Sequence, residues 1–253
     1  MAKLKLKKYR DLEQKMLIEG YHPLYFAIHN RHPIEELFVC PELFRDAFDN
    51  QALVKSIRDL GIPITEVEKS AFLKIADTDN PTGLIAVAPQ KHTSLKQHHP
   101  VPNGVYVVAE SIEKPGNLGA IFRLADNIGA SGVILANIRA DRFDPEVIRV
   151  SLGACFSVNI FECTSTEAIA WLKQNRIKIL ATSPNAEVNY TAVDMTGAIA
   201  LVLGTEHTGL GEGWLNNADA KIKIPMLGQV DSLSVTSSAA VILYEAIRQR
   251  SGG

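Results

Sequence analysis

The order of apolar and polar residues along the chain is typical of an α/β protein. Short apolar runs bounded by turn residues predict strands, and segments with apolar residues at every third or fourth position predict helices. In the first part of the chain the predicted strands are residues 37–40, 62–67 and 83–88, and the predicted helices are residues 23–30 and 51–61. Further along, strands are predicted at residues 105–109, 132–136, 177–182, 199–203 and 220–224. Because helical segments or turn residues separate these later strands, we expect a mostly parallel sheet covered on both faces.

One segment interrupts this alternation. Residues 90–103 contain three His, two Lys and two Pro but almost no aliphatic residues, a composition that indicates a linker. We therefore predict a smaller N-terminal α/β domain over residues 1–90, a linker over residues 91–103 and a second domain over residues 104–253. His98 and His99 are adjacent in this linker, and we expect both to be solvated.

Charge and cysteine content narrow the function classes. The 253 residues include 26 Lys and Arg against 28 Asp and Glu, so a surface that binds a polyanion must be local. Cys40, Cys155 and Cys163 form no CxxC pair, which argues against a secreted disulfide scaffold and against a zinc ribbon, and predicts small core residues. The apolar runs are shorter than the roughly 18 residues of a membrane span, and no apolar signal region follows the N-terminus. We expect a cytoplasmic protein.

The N-terminus is locally basic. Its five cationic residues are Lys3, Lys5, Lys7, Lys8 and Arg10. Two interpretations remain open from the sequence, a frayed and solvated terminus or an arm that contacts phosphates.

Three segments of the second domain carry candidate chemistry, and the first is residues 113–135. A predicted strand ends before Pro115, and a helical run follows in which Asn117 is the predicted N-cap. Arg123 lies six residues beyond Asn117. The spacing alone is equally compatible with a capped crossover helix that carries a solvated arginine.

The second segment, residues 201–214, is a buried strand that stops at Gly204 and continues into a loop. Glycines at 204, 209, 211 and 213 allow the backbone to approach a ligand closely. The loop lacks the GxGxxG pattern of dinucleotide-binding folds. His207 is predicted to be a solvated loop residue.

The third segment, residues 221–250, predicts a strand, a loop past Gly228 and a long C-terminal helix. Five hydroxyl residues crowd the start of that helix: Ser232, Ser234, Thr236, Ser237 and Ser238. One hydroxyl is enough to cap a helix. The excess indicates a ligand or an interface.

Taken together, the three segments resemble the three sequence motifs of the SpoU/TrmH family of RNA ribose 2′-O-methyltransferases. The first motif, N-x-G-A-x-x-R-x-A, is matched by Asn117, Gly119, Ala120, Arg123 and Ala125. The second is matched by Leu203-Gly204-Thr205-Glu206 and Gly209-Leu210. The third is matched by Ile224-Pro225-Met226, Gly228, Ser232-Leu233, Val235 and Glu245. Ile18-Glu19-Gly20 and Pro81-Thr82-Gly83 resemble the first and last strands of the N-terminal domain of such proteins.

The resemblance implies a fold and an activity. The expected fold is a C-terminal SPOUT methyltransferase domain, with a mostly parallel sheet and a trefoil knot, and a smaller N-terminal RNA-binding domain similar to certain ribosomal proteins. The expected reaction transfers a methyl group from S-adenosyl-L-methionine to a ribose 2′-hydroxyl, in a homodimer and without a metal. The expected substrate is ribosomal RNA of the 23S type, because tRNA-specific relatives commonly lack the extra domain.

The resemblance also implies residue roles. Arg123 is expected near the attacking hydroxyl, with Asn117, Glu206, Ser232 and Ser234 completing the catalytic set. Cofactor contacts are expected from Gly204, Ile224 and Leu233, together with Leu203, Met226 and Thr182. A guanidinium stays protonated at neutral pH, so charge stabilisation is the easier role for Arg123 than general-base catalysis.

One position departs from the family pattern and leaves an alternative open. Ser234 stands where family members usually have Asn, and a hydroxyl cannot reproduce both ends of an amide. A catalytically silent RNA-binding protein with the same fold is therefore the second hypothesis. An unrelated nucleotide-binding protein, such as a dehydrogenase, is a third, which the missing GxGxxG pattern disfavours.

Overall fold

The computed structural model describes residues 1–206, 208–229 and 232–252; His207 lies outside them, so its predicted solvation stays a prediction. The strands in these residues are β1 (Lys15–Glu19), β2 (Glu36–Val39), β3 (Ile64–Glu66), β4 (Leu84–Pro89), β5 (Val105–Glu110), β6 (Gly132–Ala136), β7 (Ile160–Cys163), β8 (Lys178–Thr182), β9 (Val188–Asn189), β10 (Ile199–Leu203) and β11 (Ala220–Lys223). The α-helices are α1 (Lys7–Glu13), α2 (Tyr21–His29), α3 (Ala47–Asp59), α4 (Lys69–Ile75), α5 (Pro115–Asn127), α6 (Pro145–Val150), α7 (Ser165–Gln174), α8 (Glu212–Leu215) and α9 (Val235–Arg250).

The chain folds into two compact units. The first comprises Met1–Lys91 and Asp141–Ser157, and the second comprises His92–Ala140 and Val158–Gly253. The start of the second unit lies close to the predicted linker. Residues 141–157, which follow the linker by some distance in the sequence, nevertheless pack with the first unit.

The first unit is built on a four-stranded sheet in the order β1-β4-β2-β3. Strand β4 pairs antiparallel with β1 and β2, and β2 pairs parallel with β3. β4 is buried along nearly its whole length, because it is a central strand with apolar residues on both faces. Apolar residues of α2 and α3, such as Leu24 and Ile57, are fully buried against this sheet.

A buried ion cluster fastens residues 141–157 to the start of the chain. Arg10 is 1% exposed, and its guanidinium donates to the carboxylates of Asp141 (2.7 Å) and Asp144 (3.0 Å). Its Nη1 also donates to the carbonyl of Leu4 at 2.9 Å. Arg10 is therefore an internal residue, and neither interpretation of the basic arm is right for it. The burial is stable because all the charges have partners.

The other arm residues behave differently from Arg10. Lys5 Nζ bonds to the carbonyl of Ala76, and Lys7 pairs with Asp11 across one helical turn at 2.7 Å. Lys3 and Lys8 lie within 5.4 Å and 6.0 Å of the centre of the Tyr9 ring. The arm is thus folded rather than frayed, and Lys3, Lys7 and Lys8 are the members that remain exposed.

The described part of the second unit contains a seven-stranded sheet in the order β7-β6-β5-β10-β8-β11-β9. Every strand pair in it is parallel, as predicted. β6 and β10 are buried at all five positions, because neighbouring strands and helices cover both faces. Since all strands run the same way, their carboxyl ends form a single edge, where ligands gather in open α/β sheets.

The predicted strands of both units are confirmed to within three residues at each end. The strands not named from the apolar pattern are β1, β7 and β9. β9 has only two residues, both exposed, and therefore carries no apolar run for a pattern to detect. No helix of the described residues is long and apolar enough to cross a membrane.

The cysteines are core residues, as predicted, and none is in a disulfide. Cys40 is buried, and Cys155 and Cys163 pack against the cores of the first and second units. Burial raises the pKa of the Cys155 thiol to about 12 and that of Cys163 to about 11. Both side chains therefore stay as thiols at neutral pH and are poor nucleophiles.

The expectation that His98 is solvated is wrong. Its ring lies 4.6 Å from the Phe161 ring and 5.8 Å from the Trp171 ring, and its Nε2 is 3.1 Å from the Tyr106 hydroxyl. The same hydroxyl accepts a hydrogen bond from the Val101 amide. His98 thus attaches the segment after the first unit to the aromatic core of the second.

This packing predicts a pH dependence. Desolvation, together with the nearby His99, lowers the pKa of His98 below its usual 6.5 in the folded state. The unfolded chain then binds more protons below pH 6.5, so folding stability falls as the pH drops below that value. We expect the thermal midpoint of the second unit, followed by tryptophan fluorescence, to fall between pH 7 and 5.5. The drop should be smaller in His98→Phe, and equal drops in both proteins would contradict this account.

Candidate functional site

A cavity of about 560 Å³ lies in the second unit at the carboxyl ends of β8, β10 and β11. Its volume is in the range that holds a nucleoside-sized ligand. All six residues predicted to contact a cofactor line it, namely Thr182, Leu203, Gly204, Ile224, Met226 and Leu233. Three of the predicted catalytic residues line it as well, namely Glu206, Ser232 and Ser234. The structure thus brings together predicted site residues that are up to 52 positions apart in the sequence.

The glycine-rich loop after β10 forms one wall of this cavity. Thr205 and Gly209 form a two-way backbone bridge, with N–O distances of 3.2 and 3.1 Å. The Thr205 and Thr208 hydroxyls lie 2.7 Å apart and stabilise the turn. A Cβ at Gly204 would lie 2.4 Å from the carbonyl carbon of Gly209. Only glycine fits at 204, because the loop folds back onto its own backbone there.

Gly204→Ala is therefore expected to open the loop and weaken cofactor binding by tenfold or more, with a loss of stability of about 1–3 kcal/mol from overpacking. Gly213→Ala is the matched control, since no atom beyond its chain neighbours and its own helix backbone lies within 4 Å of a Cβ at that position. Calorimetric titration with S-adenosyl-L-methionine measures the first effect, and urea unfolding measures the second. Equal cofactor affinity in the two variants would contradict the role of Gly204.

Helix α5 carries the first predicted motif, and side chains at its start bond to Glu206 of the second motif. The prediction that Asn117 is the N-cap is wrong, because the helix begins at Pro115 and Lys114 is its N-cap. Proline is favoured at the first helical position, where no amide hydrogen is needed. The Asn117 side chain is thus free to donate from Nδ2 to Glu206 Oε1 at 3.0 Å. Lys114 Nζ also pairs with the Glu206 carboxylate.

Arg123, unlike Asn117 and Lys114, does not bond to Glu206. It is exposed on α5 and, among the described residues, makes no hydrogen bond or ion pair. Neither Arg123 nor Asn117 is among the described residues that line the cavity. Six residues along a helix correspond to a rise of about 9 Å and a rotation of about 120° from the starting position. Asn117 and Arg123 therefore face different directions.

Ser234 caps helix α9. Its Oγ accepts from the Ser237 amide at 3.2 Å and donates to the Ser237 hydroxyl at 2.9 Å. Thr236 Oγ1 is 3.2 Å from the same oxygen. Three of the five clustered hydroxyls thus take part in the cap, whereas Ser232 and Leu233 lie in the loop before it and are exposed. Asparagine caps helices as well as serine does, so the local fold tolerates either residue at 234.

Several residues that line the cavity were not singled out from the sequence. They are Ser183, Pro184, Asn185, Thr208 and Lys223. Ser183, Pro184 and Asn185 directly follow β8, so the rule that ligands bind beyond the strand ends could have identified them. Thr182 donates from Oγ1 to the carbonyl of Val202 at 2.9 Å and so joins β8 to β10 below the cavity. Among the described residues, no group of three or more His, Cys, Asp or Glu is arranged to hold a metal ion.

Comparison with sequence families gives two matches that together span most of the chain. Residues 104–244 match the SpoU rRNA Methylase family, and residues 1–86 match the MRM3-like substrate binding domain. A relative is the 23S rRNA (guanosine(2553)-2′-O)-methyltransferase RlmP of Bacillus subtilis, 26% identical over 242 residues. The match covers 96% of this chain and 92% of the relative.

Solved structures are similar over the whole fold. A crystal structure described as an RNA 2′-O ribose methyltransferase superimposes with a TM-score of 0.88 at 36% identity, covering 98% of this chain and 94% of the other. An AdoMet-bound rRNA methyltransferase from Sinorhizobium meliloti gives a TM-score of 0.87 at 28% identity, covering 98% and 92%. The similarity thus extends over both units of this chain.

Proposed function

Because the chain belongs to the SpoU rRNA methylase family, we propose that it transfers the methyl group of S-adenosyl-L-methionine to a ribose 2′-hydroxyl of 23S-type ribosomal RNA. The observation that carries this proposal is the cavity in which all six predicted cofactor residues meet. The named substrate of the Bacillus subtilis relative supports 23S RNA, and the match of residues 1–86 to a substrate-binding domain supports an RNA-binding role for that part of the chain.

The residues around the cavity fit the cofactor. The folded loop at Gly204 leaves backbone groups, rather than side chains, beside the cavity, and apolar side chains of Leu203, Ile224 and Met226 line it. Such a surface suits the flat, mainly apolar rings of a nucleoside, with backbone groups left to recognise the ring edges. When bound, the cofactor supplies an electrophilic methyl group.

The chain's own residues orient and stabilise the other reactant. Asn117 and Lys114 hold Glu206 at the rim of the cavity, and in our proposal this group positions the ribose together with Ser232 and Ser234. Arg123 stabilises the negative charge that develops on the 2′-oxygen and binds the neighbouring phosphate. A guanidinium suits both tasks because it stays charged and presents several donors.

A homodimer would complete the site. Arg123 is exposed and faces away from the direction of Asn117, and α9 exposes Val241 (37%) and Tyr244 (52%). Exposed apolar residues on a helix that packs against α5 are what an interface between two copies needs. In this proposal Arg123 acts in the site of the partner copy. Light scattering at micromolar concentration should give twice the chain mass of 27.7 kDa, and a strictly monomeric mass would contradict the dimer.

Further features of the family enter this proposal. The trefoil knot is proposed for the C-terminal part of the sheet, where β10 lies between β5 and β8 rather than at the sheet edge. The functional division remains residues 1–90, 91–103 and 104–253, with residues 141–157 contributing to the first unit. A cytoplasmic location is proposed because ribosomal RNA is the substrate.

The alternative of a catalytically silent RNA-binding protein is not supported. The relatives and structures that resemble the chain over nearly its full length are named as methyltransferases. Ser234, which motivated the alternative, serves as the α9 cap, a role that asparagine also fills.

The direct test is tritium transfer from methyl-labelled S-adenosyl-L-methionine to ribosomal RNA lacking the modification. Methylation of a 2′-oxygen blocks alkaline cleavage of the next phosphodiester, so the label should appear in alkali-resistant dinucleotides. Label on mononucleotides would indicate base methylation and overturn the proposed reaction.

A further inference from the structure

A polar cluster outside the cofactor cavity links three elements of the second unit. Glu110, the last residue of β5, accepts a hydrogen bond at Oε2 from the indole Nε1 of Trp214 at 2.9 Å. The same oxygen accepts from the hydroxyl of Ser165, the first residue of α7. Asn137 Nδ2 in turn donates to the Ser165 hydroxyl at 2.7 Å. None of these residues is among the described residues that line the cavity.

The cluster reaches the cavity through Trp214. This residue is 1% exposed and belongs to α8, whose N-cap is Gly211. Gly211 ends the glycine-rich loop that starts at Gly204 and forms one cavity wall. The hydrogen bond to Glu110 therefore fixes the distal end of the loop to the end of the neighbouring strand β5.

The loop needs such a fixed point. Glycine loses more conformational freedom on ordering than any other residue, and the loop and α8 contain four glycines. At its near side the loop is held through Glu206, which bonds to Asn117 and Lys114. At its far side, where the loop runs into α8, Trp214 donates a hydrogen bond to Glu110 at the end of β5. Both attachments lead to residues 110–117, the connection between β5 and α5.

We infer that Glu110 is a positioning residue for methyl transfer: through Trp214 it sets the position of the glycine-rich loop against α5, and so shapes the cofactor cavity. The inference rests on the proposed function of that cavity. The effect depends on geometry rather than on the charge of Glu110, because the carboxylate accepts hydrogen bonds from three side-chain donors. Trp214 and Ser165 donate to Oε2, and Ser111 donates to Oε1.

Four variants separate positioning from simple core packing. Trp214→Phe keeps an aromatic ring but removes the N–H donor. Glu110→Met removes the acceptor at similar length, whereas Glu110→Gln keeps one acceptor oxygen. The matched control is Trp171→Phe, because Trp171 belongs to the same apolar core, is 9% exposed and donates no indole hydrogen bond within the described residues.

Two measurements are made on each variant. Calorimetric titration gives the affinity for S-adenosyl-L-methionine, and amide deuterium exchange at Thr205 and Gly209 gives the opening of their backbone bridge without cofactor. We expect Trp214→Phe and Glu110→Met each to weaken binding by about tenfold and to speed exchange in the loop. The double variant should be no weaker than either single one, because both substitutions remove the same hydrogen bond. Glu110→Gln should bind within about threefold of wild type.

Defined results would overturn the inference. They are unchanged affinity in Trp214→Phe, additive losses in the double variant, or an equal loss in Trp171→Phe. Wild-type protein that fails to bind the cofactor would instead overturn the proposed function. In that case the exchange rates of the loop decide the inference by themselves, since faster exchange in Trp214→Phe and Glu110→Met supports it and unchanged exchange contradicts it.

Discussion

Replacing Arg123 with alanine is expected to lower the rate of methyl transfer by about 10²–10³-fold, the usual effect of removing a group that stabilises transition-state charge. Affinity for S-adenosyl-L-methionine should stay normal, because Arg123 is not among the described residues that line the cavity. Stability should also be unchanged, since the side chain is exposed and has no hydrogen bond or ion pair within the described residues.

Single-turnover methylation with saturating cofactor isolates the effect on transfer. Arg176→Ala is the matched control, because Arg176 is also exposed and belongs to the same unit. Arg123→Lys should recover only part of the rate, because an ammonium lacks the forked donors of a guanidinium. Wild-type turnover in Arg123→Ala would remove Arg123 from the catalytic set.

The second large effect is expected in the first unit, where Arg10→Met should lower the free energy of unfolding by about 3–5 kcal/mol. Arg10 is 1% exposed and pairs with Asp141 and Asp144. Its removal leaves the Asp141 carboxylate, which is 10% exposed, without its charged partner. Because this cluster joins the start of the chain to residues 141–157, the loss should affect the whole unit.

The two units can be followed separately in that experiment. Both tryptophans, Trp171 and Trp214, belong to the second unit, so fluorescence reports its unfolding while far-ultraviolet circular dichroism reports both. Lys7→Ala is the control, since the exposed Lys7–Asp11 pair contributes less than about 1 kcal/mol. If Arg10→Met unfolds at the same urea concentration as Lys7→Ala, the buried cluster does not hold the unit together.

The strands of the second unit could be predicted from the sequence because central parallel strands are buried on both faces. β5, β6 and β10 are continuous apolar runs. A short apolar run that is bounded by turn residues is typical of a strand buried on both faces. Short edge strands lack that signal, as β9 with its two exposed residues illustrates. The pattern of apolar residues therefore predicts a strand only where that strand is buried.

Two local predictions were wrong because a longer-range partner changed the outcome. Asn117 is a good N-cap by type, but Pro115 begins the helix earlier and Asn117 bonds to Glu206, 89 residues away. Arg10 lies among lysines in the sequence, but its partners are Asp141 and Asp144, more than 130 residues away. No window of neighbouring residues contains such partners.

The composition of the cavity could be predicted only in part. Residues of the second and third motifs line the cavity, whereas Asn117 and Arg123 of the first motif do not. The Glu110–Trp214 hydrogen bond, which no motif indicates, joins residues 104 positions apart. Glutamate at a strand end and tryptophan in a core helix are each ordinary in sequence. Their pairing follows from the order of β5 and β10 in the sheet, which the sequence pattern does not specify.

The most direct test of the central claim is the mapping of 2′-O-methylated nucleotides in 23S ribosomal RNA from host cells with and without the gene for this chain. We predict one nucleotide in 23S RNA that carries a 2′-O-methyl group with the wild-type gene and lacks it both without the gene and with Arg123→Ala. Identical methylation patterns in all three RNA samples would contradict a ribosomal RNA 2′-O-methyltransferase.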